Sequence, residues 1–382
     1  MPGNLRRLSI VLFPVLLAFL ANANLARAEK TRFDLAQLKA PPGFHISVFA
    51  EDVDGARMLV FSPGGVLLVS ESGESKVVAL PDPKRTGKAE RIVTVLDGLN
   101  EPHGLAFYEG KLYVAENDKV RRYDWDEANL RASSPKMLTD LPTGAGHSTR
   151  SLLFHGGKMY VSAGSSCNVC IEKDPRRAAV MEFNPDGTGQ KIFAKGLRNA
   201  VGLAVNPKTD TVWVTVNGRD WLGDDLPPET IYDLGKDGGD AGWPYCYGDR
   251  VPDVNFTKPD DNRCQSVIEP KVQMQAHSAP LGLAFYEGSM FPPEYRNNIF
   301  VAFHGSWNRS VPTGYKVVRV KLDDKGQPQD GAEDFITGWL APGETKKGRW
   351  MGRPVGIVFS SDGSMYVSDD AGGVIYRITY VK

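Results

Sequence analysis

The 382-residue chain lacks an excess of charge of either sign: 45 lysines and arginines face 46 aspartates and glutamates, for a net charge of −1. Neither a nucleic acid nor an anionic membrane surface is therefore an expected partner. Long helical patterns are missing after the first residues, which excludes an α/β arrangement needing helical stretches of roughly 10–15 residues between strands. The chain also lacks an apolar run of spanning length, because residues 8–20 fall short of the ~20 residues of a membrane helix. That run follows Arg6 and Arg7 and precedes Ala26-Arg27-Ala28, the layout of a signal peptide removed after Ala28. A retained anchor is the competing reading. No cysteine follows the run, which speaks against a lipid anchor. We expect no stable membrane insertion, a periplasmic or secreted location, and one mature domain over residues 29–382.

Cysteine is scarce, with four residues. Cys167 and Cys170 form "CNVC", but a haem attachment would need histidine next, and Ile171 stands there. A four-thiolate zinc site would need a second close pair, whereas Cys246 and Cys264 bracket a loop. In an exported chain two local disulfides, Cys167–Cys170 and Cys246–Cys264, are the expected outcome, with no part in the function.

What is present is glycine (40), proline (26) and short runs of valine and aromatic residues, a composition suited to many strands joined by turns. Six segments repeat one pattern, a short apolar strand, a turn and a second strand ending in an apolar-Val-small triplet. The triplet valines are Val69, Val114, Val161, Val214, Val301 and Val367. Their spacing fits a unit of about 45 residues with insertions in the later copies, the period of a propeller blade. Further strands follow several triplets, as in "KVVAL" and "GVIYRITYV". A blade cannot cover both apolar faces alone, so the expected fold is all-β, a six-bladed β-propeller closed as a ring. "FHISVFA", residues 44–50, has no blade of its own and is expected to complete the last one.

In such a ring the first strand of each blade lines the central channel, and the loop ahead of it reaches the channel mouth. Four residues ahead of Gly104, Ser151, Gly202, Gly282 and Gly356 stand Asn100, His147, Arg198, Ser278 and Gly352, with Arg353 one place on. His147, Arg198 and Arg353 should thus converge at one end. Convergent cations need a counter-charge or an anionic ligand, and a planar ligand with several carboxylates would serve. Pairing with local carboxylates is the alternative. "NGRDWLGDDLPPE" holds Asp220, Asp224 and Asp225 among glycines and prolines, either a calcium site or a solvated turn. "FHGSWNR" offers His304, Trp307 and Arg309; the tryptophan suits stacking on a flat ring or a sugar, and equally blade packing.

Taken in order, "SSCNVC", "GLRNAVGLAVNP", "NGRDWLGDDLPPE", "GWPYCYGD", "FHGSWNR" and "GRPVGI" resemble the glucose/sorbosone dehydrogenase family, in its sorbosone dehydrogenase-like branch. The resemblance covers nearly all of the mature chain. It implies a six-bladed propeller that uses pyrroloquinoline quinone (PQQ) and Ca²⁺ to oxidise an aldose or a related sugar aldehyde. Hydride would pass to the quinone, and electrons would go on to an external acceptor, a cytochrome or another quinone. It further implies His147 as general base and Arg198 as the cation beside the reacting quinone oxygen. Asn199, His304, Arg309 and Arg353 would contact the cofactor. The carbonyls of Gly218 and Arg219 would hold calcium, with Asp220, Asp224 and Asp225 supplying this or a second site. One departure concerns the residue before His147, where soluble glucose dehydrogenases of the family carry an aspartate and this chain has Gly146. Asp54 and Arg57 of the first blade are further pocket candidates. Two other functions compete: a calcium-dependent lactonase, which needs carboxylates and amides around a metal on the channel axis, and a propeller that only binds a partner.

Overall fold

The structure, a computed structural model, describes residues 34–258 and 261–381. Six four-stranded antiparallel sheets form the blades of a propeller. Blade 1 comprises Ala56–Phe61, Leu67–Glu71, Lys76–Leu80 and Val93–Leu96, and blade 2 Gly104–Tyr108, Lys111–Ala115, Lys119–Asp126 and Arg131–Asp140. Blade 3 holds Leu152–His155, Lys158–Ala163, Ala179–Phe183 and Lys191–Lys195, with the short Gly239–Asp240 added in parallel at its edge. Blade 4 is built from Ala200–Asn206, Thr211–Val216, Glu229–Asp233 and Val272–Met274, and blade 5 from Pro280–Phe285, Ile299–Phe303, Lys316–Leu322 and Pro328–Ile336. Blade 6 takes Pro354–Phe359, Met365–Asp369 and Val374–Tyr380 from the end of the chain and Phe44–Ala50 from its beginning. The expected signal peptide lies outside the described residues. No helix among them is long and apolar enough to cross a membrane.

The repeated triplet explains how the ring packs. Its six valines sit on the second strand of each blade and are fully buried between neighbouring sheets. The small residue after the valine has a separate task. In blades 1, 4 and 6 the innermost strand bulges before it pairs, and a hydroxyl fills the gap. Ser70 accepts the Met58 N–H at 3.0 Å and donates to the His103 carbonyl of blade 2 at 2.7 Å. Thr215 accepts from Gly202 at 2.8 Å and donates to Leu281 of blade 5 at 2.7 Å. Ser368 accepts from Gly356 at 2.8 Å and donates to Arg57 of blade 1 at 2.6 Å. These bonds require the inner strands to approach closely, and glycine permits it: a Cβ on Gly104 would lie 2.6 Å from the Arg150 carbonyl oxygen, and one on Gly356 2.6 Å from that of Arg57. The channel left at the axis is a cavity of about 150 Å³, lined by residues such as Met58, Gly104, Ser151, Gly202, Gly282 and Ile357.

Phe44–Ala50 pairs antiparallel with Val374–Tyr380, as expected for the strand that joins the ends. The Phe44 ring meets Phe291, Tyr295, Phe335 and Tyr380 edge-on at 4.8, 5.0, 4.9 and 5.0 Å, tying this strand to blade 5 as well. Truncating this buried ring leaves a cavity at the closure. Phe44→Ala is expected to cost about 3–5 kcal/mol, read as a lower denaturation midpoint. A midpoint equal to that of the wild type would show that closure does not depend on this cluster.

The antiparallel order places the start of each inner strand and the end of its neighbour at the same end of the channel. Loops ahead of the inner strands and loops after the second strands therefore meet there. This is where the candidate residues gather.

Candidate functional site

His147 lies in the loop ahead of blade 3. Its Nδ1 is 3.0 Å from the Ser165 carbonyl oxygen and 3.1 Å from Ser165 Oγ, while that hydroxyl donates to the Cys167 carbonyl at 2.6 Å. Both neighbours of Nδ1 thus act as acceptors, so Nδ1 carries the proton and Nε2 the lone pair. No described residue hydrogen-bonds Nε2. Burial pushes the His147 pKa down to about 4, helped by the positive charges of Arg198, Arg177 and Arg150. Arg150 and Arg177 donate to the His147 carbonyl oxygen at 2.9 and 3.1 Å, and neither has a carboxylate within ion-pair distance among the described residues. The result is a neutral imidazole at neutral pH, held rigidly, with an open basic nitrogen.

Gly146 shows why the loop has no side chain there. Its φ is +88°, and a Cβ would press into the backbone of Ser165 and Ser166. The two serines ahead of "CNVC" occupy the space where a substituent would stand. Both expected disulfides are present. The Cys167–Cys170 loop, however, is not apart from the site as the sequence suggests: its Cys167 carbonyl orients Ser165, the partner of His147, and its Asn168 bonds Arg198.

Arg198, on the loop ahead of blade 4, is buried. Its Nε donates to the Asn168 carbonyl at 2.8 Å, and Nη2 to Asn168 Oδ1 at 3.0 Å and to Asp220 Oδ2 at 3.1 Å. Asn199 donates to Asn217 Oδ1 at 2.9 Å, while its own Oδ1 is buried without a partner. A Cβ on Gly164 would strike both Asn199 Oδ1 and the His147 side chain, which places these two residues side by side.

Across the mouth, blades 5, 6 and 1 contribute a buried network. His304 Nε2 lies 3.0 Å from both carboxylate oxygens of Asp370, and Asp370 pairs with Arg57 at 2.7 Å. Burial pushes the His304 pKa down to about 4. Burial would raise the Asp370 carboxyl, but His304 and Arg57 together hold it well below its usual range. Arg353 donates to the carbonyls of His304 at 3.0 Å and Gly305 at 2.8 Å. No carboxylate among the described residues pairs with its guanidinium. Of the two competing readings for the arginines, local pairing therefore describes Arg198, whereas Arg353 makes no ion pair among the described residues and feels Asp370 and Asp369 only at longer range. Arg309 is also paired locally, with Asp225 at 3.2 Å.

The acidic loop does not gather its carboxylates. Asp220 binds Arg198 and also accepts from Asn308 at 2.7 Å. Asp224 accepts from the Ser310 N–H, and the Asp225 side chain is 87 % exposed on Arg309. Among the described residues the single group of three potential metal ligands is Cys167, Cys170 and Glu172, whose thiols are joined in a disulfide. By contrast, the carbonyl oxygens of Gly218 and Arg219 accept no hydrogen bond from the described residues, while Glu229 holds the Gly218 N–H at 2.7 Å and Asp253 the Arg219 guanidinium at 2.6 Å. Two hard, free oxygens on a pinned backbone fit a calcium ion better than the scattered aspartates do.

A cavity of about 260 Å³ is lined by Arg57, Ser72, Glu101, His103 and the two residues that follow His147, Ser148 and Thr149. Trp307 does not serve blade packing: it is 59 % exposed and meets Trp221, itself 66 % exposed, edge-on at 5.4 Å. Sequence reasoning missed Asn168, Arg150, Arg177 and Asp370. Arg150 alone carried a signal, since it stands one residue before Ser151, the place in the repeat that Arg57 and His103 take before Met58 and Gly104.

A family model described as TrAA12-like matches residues 38–231 and 244–381. An uncharacterized protein of Borreliella burgdorferi is 30% identical over 364 residues, covering 90% of this chain and 91% of that protein. A pyrroloquinoline quinone-dependent pyranose dehydrogenase of Coprinopsis cinerea is 25% identical over 90% of this chain, which spans 54% of that relative, about half its length. The holo form of that enzyme's PQQ domain superposes with a TM-score of 0.77 at 22% identity, covering 90% of this chain and 97% of the domain. A calcium structure of a Trichoderma reesei carbohydrate-active enzyme of family AA12 gives a TM-score of 0.78 at 22% identity, with 90% and 97% covered. These superpositions agree with the six-bladed ring, and the match over both halves of the propeller shows that the chain belongs to the TrAA12-like family.

Proposed function

We propose that the protein is a PQQ-dependent dehydrogenase that oxidises a sugar, an aldose or a related sugar aldehyde, and passes the electrons to an external cytochrome or quinone. The observation that carries this reading is the pairing, at one channel mouth, of a neutral histidine with a free Nε2 and a buried arginine cation, opposite a second arginine that makes no ion pair among the described residues. The Coprinopsis relative, whose name includes both PQQ and pyranose, supports it. So do the two disulfides, which together with the basic and apolar leader favour a periplasmic or secreted location.

The residues fit the cofactor. Arg353 would hold a carboxylate of PQQ, the unpartnered Asn199 Oδ1 would accept from it, and the Gly218 and Arg219 carbonyls would hold calcium. His304 is committed to Asp370 and acts by presenting its carbonyl to Arg353. When bound, the quinone supplies the acceptor for hydride. His147 Nε2 takes the proton of the reacting sugar hydroxyl, its ring orientation kept by Ser165. Arg198 keeps a cation where negative charge develops, at no cost of reorganisation, because Asn168 and Asp220 already hold it. The hydroxyls and carboxylate of Ser72, Ser148, Thr149 and Glu101 make the adjoining cavity suited to a polyhydroxylated ligand, and Trp307 offers an apolar face to a sugar ring.

Purified apoprotein is expected to gain dye-linked sugar oxidation only when PQQ and calcium are both added. Stoichiometric cofactor binding with silence across a broad sugar panel would remove the enzymatic claim. Lactone hydrolysis without quinone would favour the hydrolase reading instead.

A further inference from the structure

The loop closed by Cys167–Cys170 is short, yet it touches both residues on which the proposed chemistry depends. Ser165 orients His147. Asn168 grips the Arg198 guanidinium from two sides, through its carbonyl at 2.8 Å and its Oδ1 at 3.0 Å. The same Oδ1 accepts the Asp220 N–H at 2.7 Å, and Nδ2 donates to the Asp220 carbonyl at 3.2 Å. The amide thus accepts twice and donates once, a set that a carboxylate cannot reproduce. Without this side chain Arg198 would keep the Asn168 carbonyl on Nε, Asp220 on Nη2 and a weak bond of 3.4 Å to the Asn217 carbonyl, but Nη2 and the Asp220 N–H would lose the shared acceptor that ties them together.

We propose that Asn168 is a positioning residue: presented by the cystine loop, it fixes the Arg198 guanidinium and the Asp220 backbone relative to His147. The inference rests on the dehydrogenase reading for its kinetic consequence, but its geometric content stands on the distances alone. Among the described residues the Asn168 Oδ1 is the acceptor shared by Arg198 Nη2 and the Asp220 N–H, and the loop is tied at both ends, by the disulfide and by Glu172, which accepts from the Ser166 N–H at 2.6 Å and from its hydroxyl at 2.7 Å.

The test is Asn168→Ala in the full protein with PQQ and calcium. We expect kcat to fall roughly ten- to a hundredfold, with the unfolding midpoint and the cofactor dissociation constant close to those of the wild type. In the apoprotein, NMR titration of the His147 ring should show its pKa moving up. Arg198, Arg177 and Arg150 are the charges that face this ring, and the variant loosens only the first. Should Asn168→Ala not fold, Asn168→Ser retains a polar side chain, falls short of Arg198 and carries the same expectation. An unchanged kcat, or a loss that merely follows lost stability or lost cofactor binding, overturns the proposal. If the wild type oxidises no sugar, the dehydrogenase reading fails by itself, and the His147 titration alone decides: a raised value supports the positioning role and an unmoved one ends it.

Discussion

Replacing His147 with alanine or asparagine is expected to lower sugar turnover by roughly 10²–10⁴, the range for loss of a general base. Asparagine is the sharper variant, since its amide can still donate to the Ser165 carbonyl while offering no basic nitrogen. Retained PQQ binding with lost turnover would assign the effect to proton transfer rather than folding. The pH profile provides a second check. Because burial and three arginines push the His147 pKa down to about 4, the neutral, active form persists well below the ordinary value near 6.5. The rate should therefore stay level from neutrality into mildly acidic solution and fall as the pH drops through about 4. A fall centred on the ordinary histidine value would show that His147 is solvated, or that another group is the base.

Arg198→Ala is expected to reduce kcat by about 10²–10³, as for the loss of one fixed donor to a developing negative charge. It has a coupled consequence that a simple loss of binding lacks. Arg198 is the strongest charge acting against protonation of His147. Its removal makes the imidazolium less unfavourable, so the His147 pKa rises and the acid limb of the residual activity moves toward neutrality. Arg198→Lys keeps the charge but cannot make the two-pronged grip on Asn168. It should recover much of the acid limb and little of kcat. An Arg198→Ala enzyme with wild-type kcat would remove the arginine from the mechanism.

The blade count and the closure of the ring were legible because burial imposes them locally. Each triplet valine faces a neighbouring sheet, so period-2 alternation repeats wherever a blade does. The hydroxyl after the valine was legible as small and no further, since its use depends on a carbonyl in the next blade. The site was legible in part. His147 and Arg198 stand at equivalent positions in two repeats and Arg353 one place on in a third, which placed them at one mouth. Asn168 gave no such signal, because its partners lie 30 and 52 residues away on another blade. The Asp370–Arg57 pair spans 313 residues.

The acidic loop illustrates the difference most directly. Three aspartates close in sequence suggested one cation site, and the fold sends them to Arg198, to the Ser310 N–H and to Arg309. Residue order alone determined the strands, their pairing into six blades, the two disulfides and the end of the channel where polar groups gather. Those features follow from apolar periodicity and short chain separations. Only the tertiary structure decided which arginines make no ion pair, which histidine nitrogen is free and which carbonyls face no donor. Such facts depend on the neighbours that meet across blades, and burial makes the electrostatic cost of each meeting large enough to set protonation and charge.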